Sequence, residues 1–429
     1  MDFIKHLALP QSMEQYHLLL FILNLTFIVL LPYLGFLLGT SLFSYIYNKK
    51  GTTEKNQLYK RFAKDLIDTG VFSKSGLAFL AIIPAASLVF LYAQLLQATT
   101  TIAVSVMTFG FLALLAGSIL LYAYKYTFKL SSVLTNVESY VTRGSAAREE
   151  VADYLQTTEH THLRCGRYGI GFLFVGSFLT VGASAMACNP ATWSTMDNVF
   201  ELFLSLDFLA RYLQFLAIGL GVTGIGILFF LITWQSGERR PEESYASLIR
   251  QFGFRWSAVS FLLQPVLLVL TLAVLPAGAA SGLMYALGGT ALLFLFAAAH
   301  FVYAFKRDGQ VSYTAYAFFT LALALTLIFT KDQVAIGNGT KEHAARLSLA
   351  YEKDVEELKA RLGVAAKALT GQEIYDAKCS ACHLFDQKKV GPPYKETIPK
   401  YAGKKTELIA FIMSPIKINP AYPNMPNQG

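Results

Sequence analysis

Long apolar runs separated by short polar stretches make up most of the first 330 residues. Each run is long enough, at 1.5 Å per helical residue, to cross a hydrocarbon layer of about 30 Å. Eight membrane spans are therefore predicted, at 17–47, 76–97, 101–124, 168–187, 206–234, 257–277, 281–304 and 313–330. The pattern predicts an all-α fold in which residues 1–330 form a polytopic membrane helix bundle.

The polar stretches alternate in charge along the chain. Four of them carry 17 Lys and Arg residues in total, and these are 48–75, 127–166, 235–256 and 305–312. The N-terminal residues and the intervening stretches carry a single one, Lys5. Cytoplasmic loops are enriched in Lys and Arg, so the basic stretches are predicted to be cytoplasmic. The N-terminus and everything after the eighth span then lie on the periplasmic side of a bacterial inner membrane.

Composition agrees with a membrane protein. The 429 residues are 54% hydrophobic and 15% charged, whereas soluble domains are about 25% charged. The net charge of +8 lies mostly in the loops, which indicates a lipid bilayer and no nucleic acid as partner. Cys165 and Cys188 flank the fourth run. They are predicted on opposite faces of the bilayer, as unpaired thiols.

Three helices are predicted outside the spans. Polar helical stretches around 58–67 and 146–156 lie either on the membrane surface or in solvated loops. Residues 331–369 form a predicted polar linker. Within it, a stripe of apolar residues at helical spacing predicts an amphipathic helix over about 342–362. This helix is either a spacer or a docking surface.

A short motif near the C-terminus carries the clearest chemistry. Cys379-Ser380-Ala381-Cys382-His383 has the C-x-x-C-H spacing of haem c attachment. Two thiols at this spacing add to the haem vinyl groups, and the adjacent histidine then lies under the iron. One covalent haem c is predicted, on the same side of the membrane as the N-terminus.

The surrounding residues resemble class I monohaem cytochromes c over about sixty residues. Gly371 and Tyr375 precede the attachment motif, Val390-Gly391-Pro392 follows it, and Tyr422–Pro426 matches the methionine loop of that family. The resemblance implies a cytochrome c-like domain over 370–429. It also implies His383 and Met425 as axial ligands, with the Pro392 carbonyl orienting His383.

Two residues compete for the ligand positions. Met413 lies within a predicted helix, 408–415, where packing is the better interpretation, and His343 lies in the linker, where a solvated histidine is expected. Class I domains close with a C-terminal helix, whereas this sequence stops at Gly429. Either the chain continues, or the helix is absent, the haem pocket is exposed and the bond from Met425 to iron is weaker.

The predicted haem domain is basic. It has eight Lys and five acidic residues, and Lys388 and Lys389 lie near the expected haem edge. A basic rim would attract an acidic redox partner, either soluble or membrane-bound. The alternative is an ordinary solvated lysine surface.

Tyr16-His17 opens the first span. This start is similar to subunit I of the cytochrome bd oxidase superfamily, particularly its haem c-containing branch. That resemblance implies a haem b or d at His17, and the alternative is an interfacial histidine. Predicted spans two and three contain no charged residue and no histidine, which departs from the superfamily.

Other candidates in the membrane part have a structural and a functional interpretation. Asp207 and Arg211, four residues apart, predict an ion pair, or Arg211 holds a haem propionate. His300 is expected at the interface, with ligation as the alternative, and His160 and His162 on the cytoplasmic surface. The three methionines near the outer side are expected in the core: Met186, Met196 and Met284.

Three functions follow from these features. The first is an electron-transfer subunit of a respiratory membrane complex, exchanging electrons through haem c with a bd-oxidase-like partner. It would be a redox subunit of an oxidoreductase complex, with no catalytic residue of its own. The second is the oxygen-reducing subunit itself, with b- or d-type haems. The third is a transporter with a tethered redox domain, which the shortage of buried charges disfavours.

Overall fold

Helices account for all regular secondary structure in the computed structural model, which describes residues 11–141, 145–234, 242–362 and 370–426. Eight of the helices are long and apolar enough to cross a membrane. The predicted all-α class is confirmed, and the eight predicted spans correspond to these eight candidate membrane helices. The helices are α1 Met13–Thr53, α2 Gln57–Gly70, α3 Lys74–Leu95, α4 Ala103–Tyr140, α5 Ala146–Cys188, α6 Leu206–Trp234, α7 Glu243–Ala273, α8 Gly282–Asp308, α9 Ser312–Arg361, α10 Gly371–Ile374, α11 Tyr394–Thr397 and α12 Lys405–Met413. The chain divides into two compact units, Met1–Glu352 and Lys353–Gly429.

The polar stretch 127–166, predicted as a loop, consists mainly of extensions of α4 and α5. His162 is buried between them. Its Nε2 accepts a hydrogen bond from Asn48 Nδ2 at 3.1 Å, and its Nδ1 lies 2.8 Å from Thr127 Oγ1. The ring also stacks on Tyr124. The predicted surface position of His162 is therefore wrong, because helix packing encloses it, whereas His160 is exposed as predicted.

Helix α2 packs against α1 and does not lie freely on a surface. Its apolar residues Phe62, Leu66 and Ile67 are buried. Ser44 Oγ on α1 donates to the Ala63 carbonyl at 2.6 Å, and Tyr33 donates to the Gly70 carbonyl at 3.0 Å. These bonds satisfy polar groups of both helices within the protein.

Glycines allow α1 and α6 to approach closely. A Cβ on Gly35 would lie 3.0 Å from the Cα of Gly219. Small residues at a crossing let two backbones pack directly, which is the usual means of helix association in lipid. This contact sets α6 against α1 inside the bundle, and most of α6 is buried.

Helix α9 is a single helix of 50 residues. The predicted linker therefore begins inside it, and the two compact units divide at Glu352. His343 on α9 is buried, with Nε2 2.9 Å from the Gln97 carbonyl oxygen and its ring edge-on to Trp193. The expectation of a solvated His343 is wrong, since this part of α9 packs on the membrane unit. The end of the predicted linker, 363–369, lies outside the described residues.

Candidate functional site

One helical turn brings the two thiols and the imidazole of the attachment motif together. Thr370 caps α10 reciprocally with Glu373, and the helix continues as a wider turn, Tyr375–Cys379. The backbone N–H groups of Cys382 and His383 then donate to the Cys379 carbonyl at 3.1 and 2.9 Å. The local hydrogen bonds thus set the spacing that the motif requires.

The loop after the motif orients the imidazole. His383 Nδ1 lies 2.9 Å from the Pro392 carbonyl oxygen. A carbonyl only accepts, so Nδ1 carries the proton and Nε2 keeps a free lone pair. The N–H groups of Val390 and Gly391 donate to the Cys382 carbonyl at 3.1 and 2.8 Å, which holds the loop in place.

Gly391 leaves the space that the imidazole occupies. A Cβ at this position would lie 2.3 Å from His383 Cε1 and 2.8 Å from each ring nitrogen. These distances are far below van der Waals contact. Any residue with a side chain at position 391 would therefore clash with the His383 ring in this position.

Tyr394 supports the other side of the histidine. Its ring stacks on His383 with 4.9 Å between ring centroids and 12° between planes. Burial raises the pKa of Tyr394, and hydrogen bonding with Cys379 acts in the same direction. The hydroxyl therefore stays protonated at neutral pH. A neutral aromatic ring packs the imidazole without adding a charge.

Two neighbouring cavities meet at the motif, with volumes of about 300 and 80 Å³. His383 and Met425 line both of them, together with Pro392, Tyr394 and Pro423. Met413 lines neither cavity and is 48% exposed. The tertiary structure therefore brings Met425, and not Met413, to the space that His383 faces. No packing role for Met413 is visible.

The second unit has almost no core of its own. Within the described residues 370–426, only Gly391 and Pro393 are buried. Apolar side chains instead line the larger cavity, among them Leu408, Phe411, Ile412 and Ile416. Domains this small usually need a covalent or metal staple to be stable. Two thiols, an imidazole, a thioether and an apolar wall fit an attached haem.

Comparison with known proteins gives two short matches. The chain is 53% identical over 36 residues to cytochrome c-551 of Azotobacter vinelandii, which covers 8% of this chain and 44% of that protein. It is 43% identical over 49 residues to cytochrome c-551 of Pseudomonas denitrificans, which covers 11% and 58%. The chain thus spans about half the length of the curated relatives it matches.

No family model and no solved structure matches the chain. No family match therefore supports the resemblance of Tyr16-His17 to the cytochrome bd oxidase superfamily. The eight long apolar helices and the short matches together define a multi-pass membrane protein with a cytochrome c-like segment. The similarity indicates haem c and electron transfer.

His17 lies exposed near the start of α1. It lines a groove between α1 and α9, beside Tyr16. Tyr16 donates to the Gly337 carbonyl at 2.8 Å, which ties the start of α1 to α9. Among the described residues, no three His, Cys, Asp or Glu side chains come together as a metal site. A haem b or d at His17 stays a prediction. His300 is also exposed, on α8.

A buried ion cluster forms around Arg211. The predicted pair with Asp207 is confirmed, with 2.8 Å between Nε and Oδ1. Asp332 Oδ1 lies 3.3 Å from Arg211 Nη1 and 2.8 Å from Lys331 Nζ. The sequence places Lys331 and Asp332 in a predicted polar linker, whereas the structure places both in this cluster. One feature of the sequence could have indicated their burial: Lys331 and Asp332 directly follow the last apolar run, so the same helix can continue through them.

Cys165, Cys188 and the three outer-side methionines all lie in the membrane unit. Cys165 and Cys188 are both free thiols, and 23 helical residues put about 35 Å between them. Arg211 Nη2 lies 3.5 Å from Cys188 Sγ. Met186 and Met284 are fully buried and Met196 partly, which confirms the core interpretation.

Proposed function

We propose that this chain is an electron-transfer subunit of a respiratory membrane complex. Cys379 and Cys382 hold one haem c, and His383 and Met425 ligate its iron. The observation that carries the proposal is the hydrogen bond from His383 Nδ1 to the Pro392 carbonyl, which leaves Nε2 without a proton in a histidine that lines a cavity together with Met425. The proposed partner is a bd-oxidase-like protein. This choice of partner is supported by the resemblance of Tyr16-His17 to the cytochrome bd oxidase superfamily.

The residues of the site hold the group and tune it. Pro392 keeps the His383 proton on Nδ1, so that Nε2 is available without a rearrangement. The apolar residues of the cavity wall would lie against the haem, where a lower dielectric constant strengthens electrostatic interactions. When bound, haem c supplies a one-electron couple, and histidine–methionine ligation raises its potential. The site therefore suits electron transfer.

Lysines near the motif support an acidic redox partner. Lys388 Nζ lies 4.7 Å from the centre of the Tyr422 ring, and Tyr422 lines the larger cavity. Lys389 donates to the Ser380 carbonyl at 2.8 Å, inside the attachment motif. Both ammonium groups are thereby held beside the proposed haem. An acidic partner would associate at a rate that falls as salt is added.

The haem content of the purified chain tests the function. A pyridine haemochrome spectrum should show haem c, at one haem per chain, and no other haem. Haem c is expected because Cys379, Cys382 and His383 form an attachment motif, and His383 and Met425 line one cavity. Haem b or d in addition, lost in His17→Ala, would favour the oxygen-reducing alternative. An absence of haem c would end the proposal.

Replacing Met425 by Ala should remove the histidine–methionine absorption feature at the red end of the visible spectrum. The reduction potential of the haem should also fall, because a thioether ligand raises it. Absorption spectroscopy and a redox titration measure the two effects. Met413→Ala is the matched control and should change neither, since Met413 lines neither cavity. Unchanged spectra in Met425→Ala would show that another group is the ligand.

We propose that the haem domain and the N-terminus lie on the periplasmic side of a bacterial inner membrane. The basic loops support this orientation. Protease added to intact spheroplasts should release a haem-staining fragment, and protease added to inverted vesicles should not. A soluble cytoplasmic marker controls for lysis. Release from inverted vesicles alone would reverse the orientation.

A further inference from the structure

A groove runs between α1 and α9 in the membrane unit, with a volume of about 560 Å³. Exposed His17 and Lys341 lie at one end, towards the start of α1. Asn24, Thr330 and Gln333 lie at the other. From Met13 to Asn24 the groove extends about 16 Å along α1. It therefore reaches from the helix start well into the span.

Two side-chain oxygens at the deep end have no partner within the described residues. These atoms are Asn24 Oδ1 and Gln333 Oε1, and both are buried. Gln333 as a whole is only 6% exposed. Unpaired polar groups at membrane depth are costly, so they are retained where they meet a cavity that holds water. The lining therefore indicates a wet groove.

A second cavity lies behind Gln333. Its volume is about 30 Å³, and Gln333, Asp332, Arg211 and Gln214 are among its lining residues. Gln214 Nε2 is also buried, and no described residue offers it a hydrogen-bond partner. A water molecule needs roughly 10–15 Å³ of such volume and two or more polar partners. The cavity thus has room for about two waters, beside the ion cluster.

Gln333 lines both spaces. Beyond it, Asp332 contacts Arg211 and Lys331, and Arg211 contacts Asp207. The two cations and the two carboxylates of the cluster balance in charge. The cluster therefore has no net charge that a bound ion would neutralise. Water fits the polar atoms around Gln333. It can donate a hydrogen bond to Gln333 Oε1 and accept one from Gln214 Nε2.

We propose that the groove is a water-filled vestibule. It leads from the aqueous phase at the start of α1, past Gln333, to the buried Asp332–Arg211 pair. Water access is the physical requirement for proton exchange with a carboxylate buried in a membrane protein. This site is separate from the haem domain, and it adds a hydrated path to the proposed electron-transfer protein.

Thiol labelling from each side of the membrane tests the vestibule. Cysteines are introduced one at a time into the full chain, with Cys165 and Cys188 replaced by Ala, and labelling is read by mass spectrometry on the peptide that contains the introduced cysteine, so that Cys379 and Cys382 do not contribute. The variants are Gln333→Cys and Asn24→Cys in the groove, Lys341→Cys at its mouth, and Leu25→Cys as control. Leu25 neighbours Asn24 on α1 but is 48% exposed on the outside of the protein. A membrane-impermeant reagent reacts with the thiolate, which forms in water and not in lipid.

Gln333→Cys and Asn24→Cys should label from the same side as Lys341→Cys. Their rates should exceed that of Leu25→Cys by about tenfold or more. The comparison with Lys341→Cys makes the result independent of which side is periplasmic, and of the haem. Labelling of Lys341→Cys alone would overturn the proposal, because a lipid or packed side chains would then fill the groove. Two deep positions keep the test valid if one variant fails to fold.

Discussion

Replacing Cys379 and Cys382 together by Ala is expected to remove all covalent haem from the chain. It is also expected to leave residues 370–426 without a stable fold. The thiols are the proposed attachment points, and only two described residues of this segment are buried without the haem. Haem staining after denaturing electrophoresis should disappear, and limited proteolysis should cut the segment rapidly.

The control is the double variant Cys165→Ala and Cys188→Ala. Both of these thiols are free and lie in the membrane unit, so haem staining and protease resistance of the C-terminal unit should be kept. Haem staining that survives loss of Cys379 and Cys382 would locate the attachment elsewhere. A folded, protease-resistant segment without haem would contradict the view that the haem completes its core.

Gly391→Ala should displace the proximal imidazole. The added methyl group would lie 2.3 Å from His383 Cε1, and the ring is also confined by Tyr394 on one face. Either the ring rotates away from the Pro392 carbonyl, or the loop moves. Overpacking of this kind costs about 1–3 kcal/mol. The haem domain should unfold at lower denaturant concentration, as followed by the histidine–methionine absorption feature.

Gly371→Ala provides the matched control for this loop. Among the described residues, a Cβ at Gly371 meets no atom within 4 Å, so the same chemical change adds no clash with them. Its denaturation midpoint should equal or slightly exceed that of the unmodified chain, because Ala is more favourable than Gly in a helix. If Gly391→Ala also kept its midpoint and its spectrum, the imidazole would not occupy the position described here.

Some positions could not be interpreted from the sequence. His162 and His343 both lie in polar stretches with many charged neighbours, which predicts solvent exposure. Burial came from residues far along the chain: Asn48 and Thr127 for His162, and Gln97 for His343. Local periodicity reports which face of a helix is apolar. It does not report which other helix covers a polar residue.

The ion cluster illustrates the same limit. Asp207 and Arg211 are one helical turn apart, and that spacing alone predicts their contact. Asp332 is 121 residues from Arg211 and joins it only because α9 packs beside α6. The sequence predicts the start of a linker at Lys331, where charge first appears after the last apolar run. The helix continues through that point, since these charges are paired inside the protein.

The sequence by itself determined the eight spans, the all-α class and the attachment motif. Each of these depends on neighbouring residues: a run long enough to cross lipid, or two cysteines and a histidine at fixed spacing. Tertiary structure alone decided how deep His343 and His162 lie, and where Asp332 pairs. Those outcomes depend on contacts between segments distant in the chain, which hydropathy and spacing do not encode.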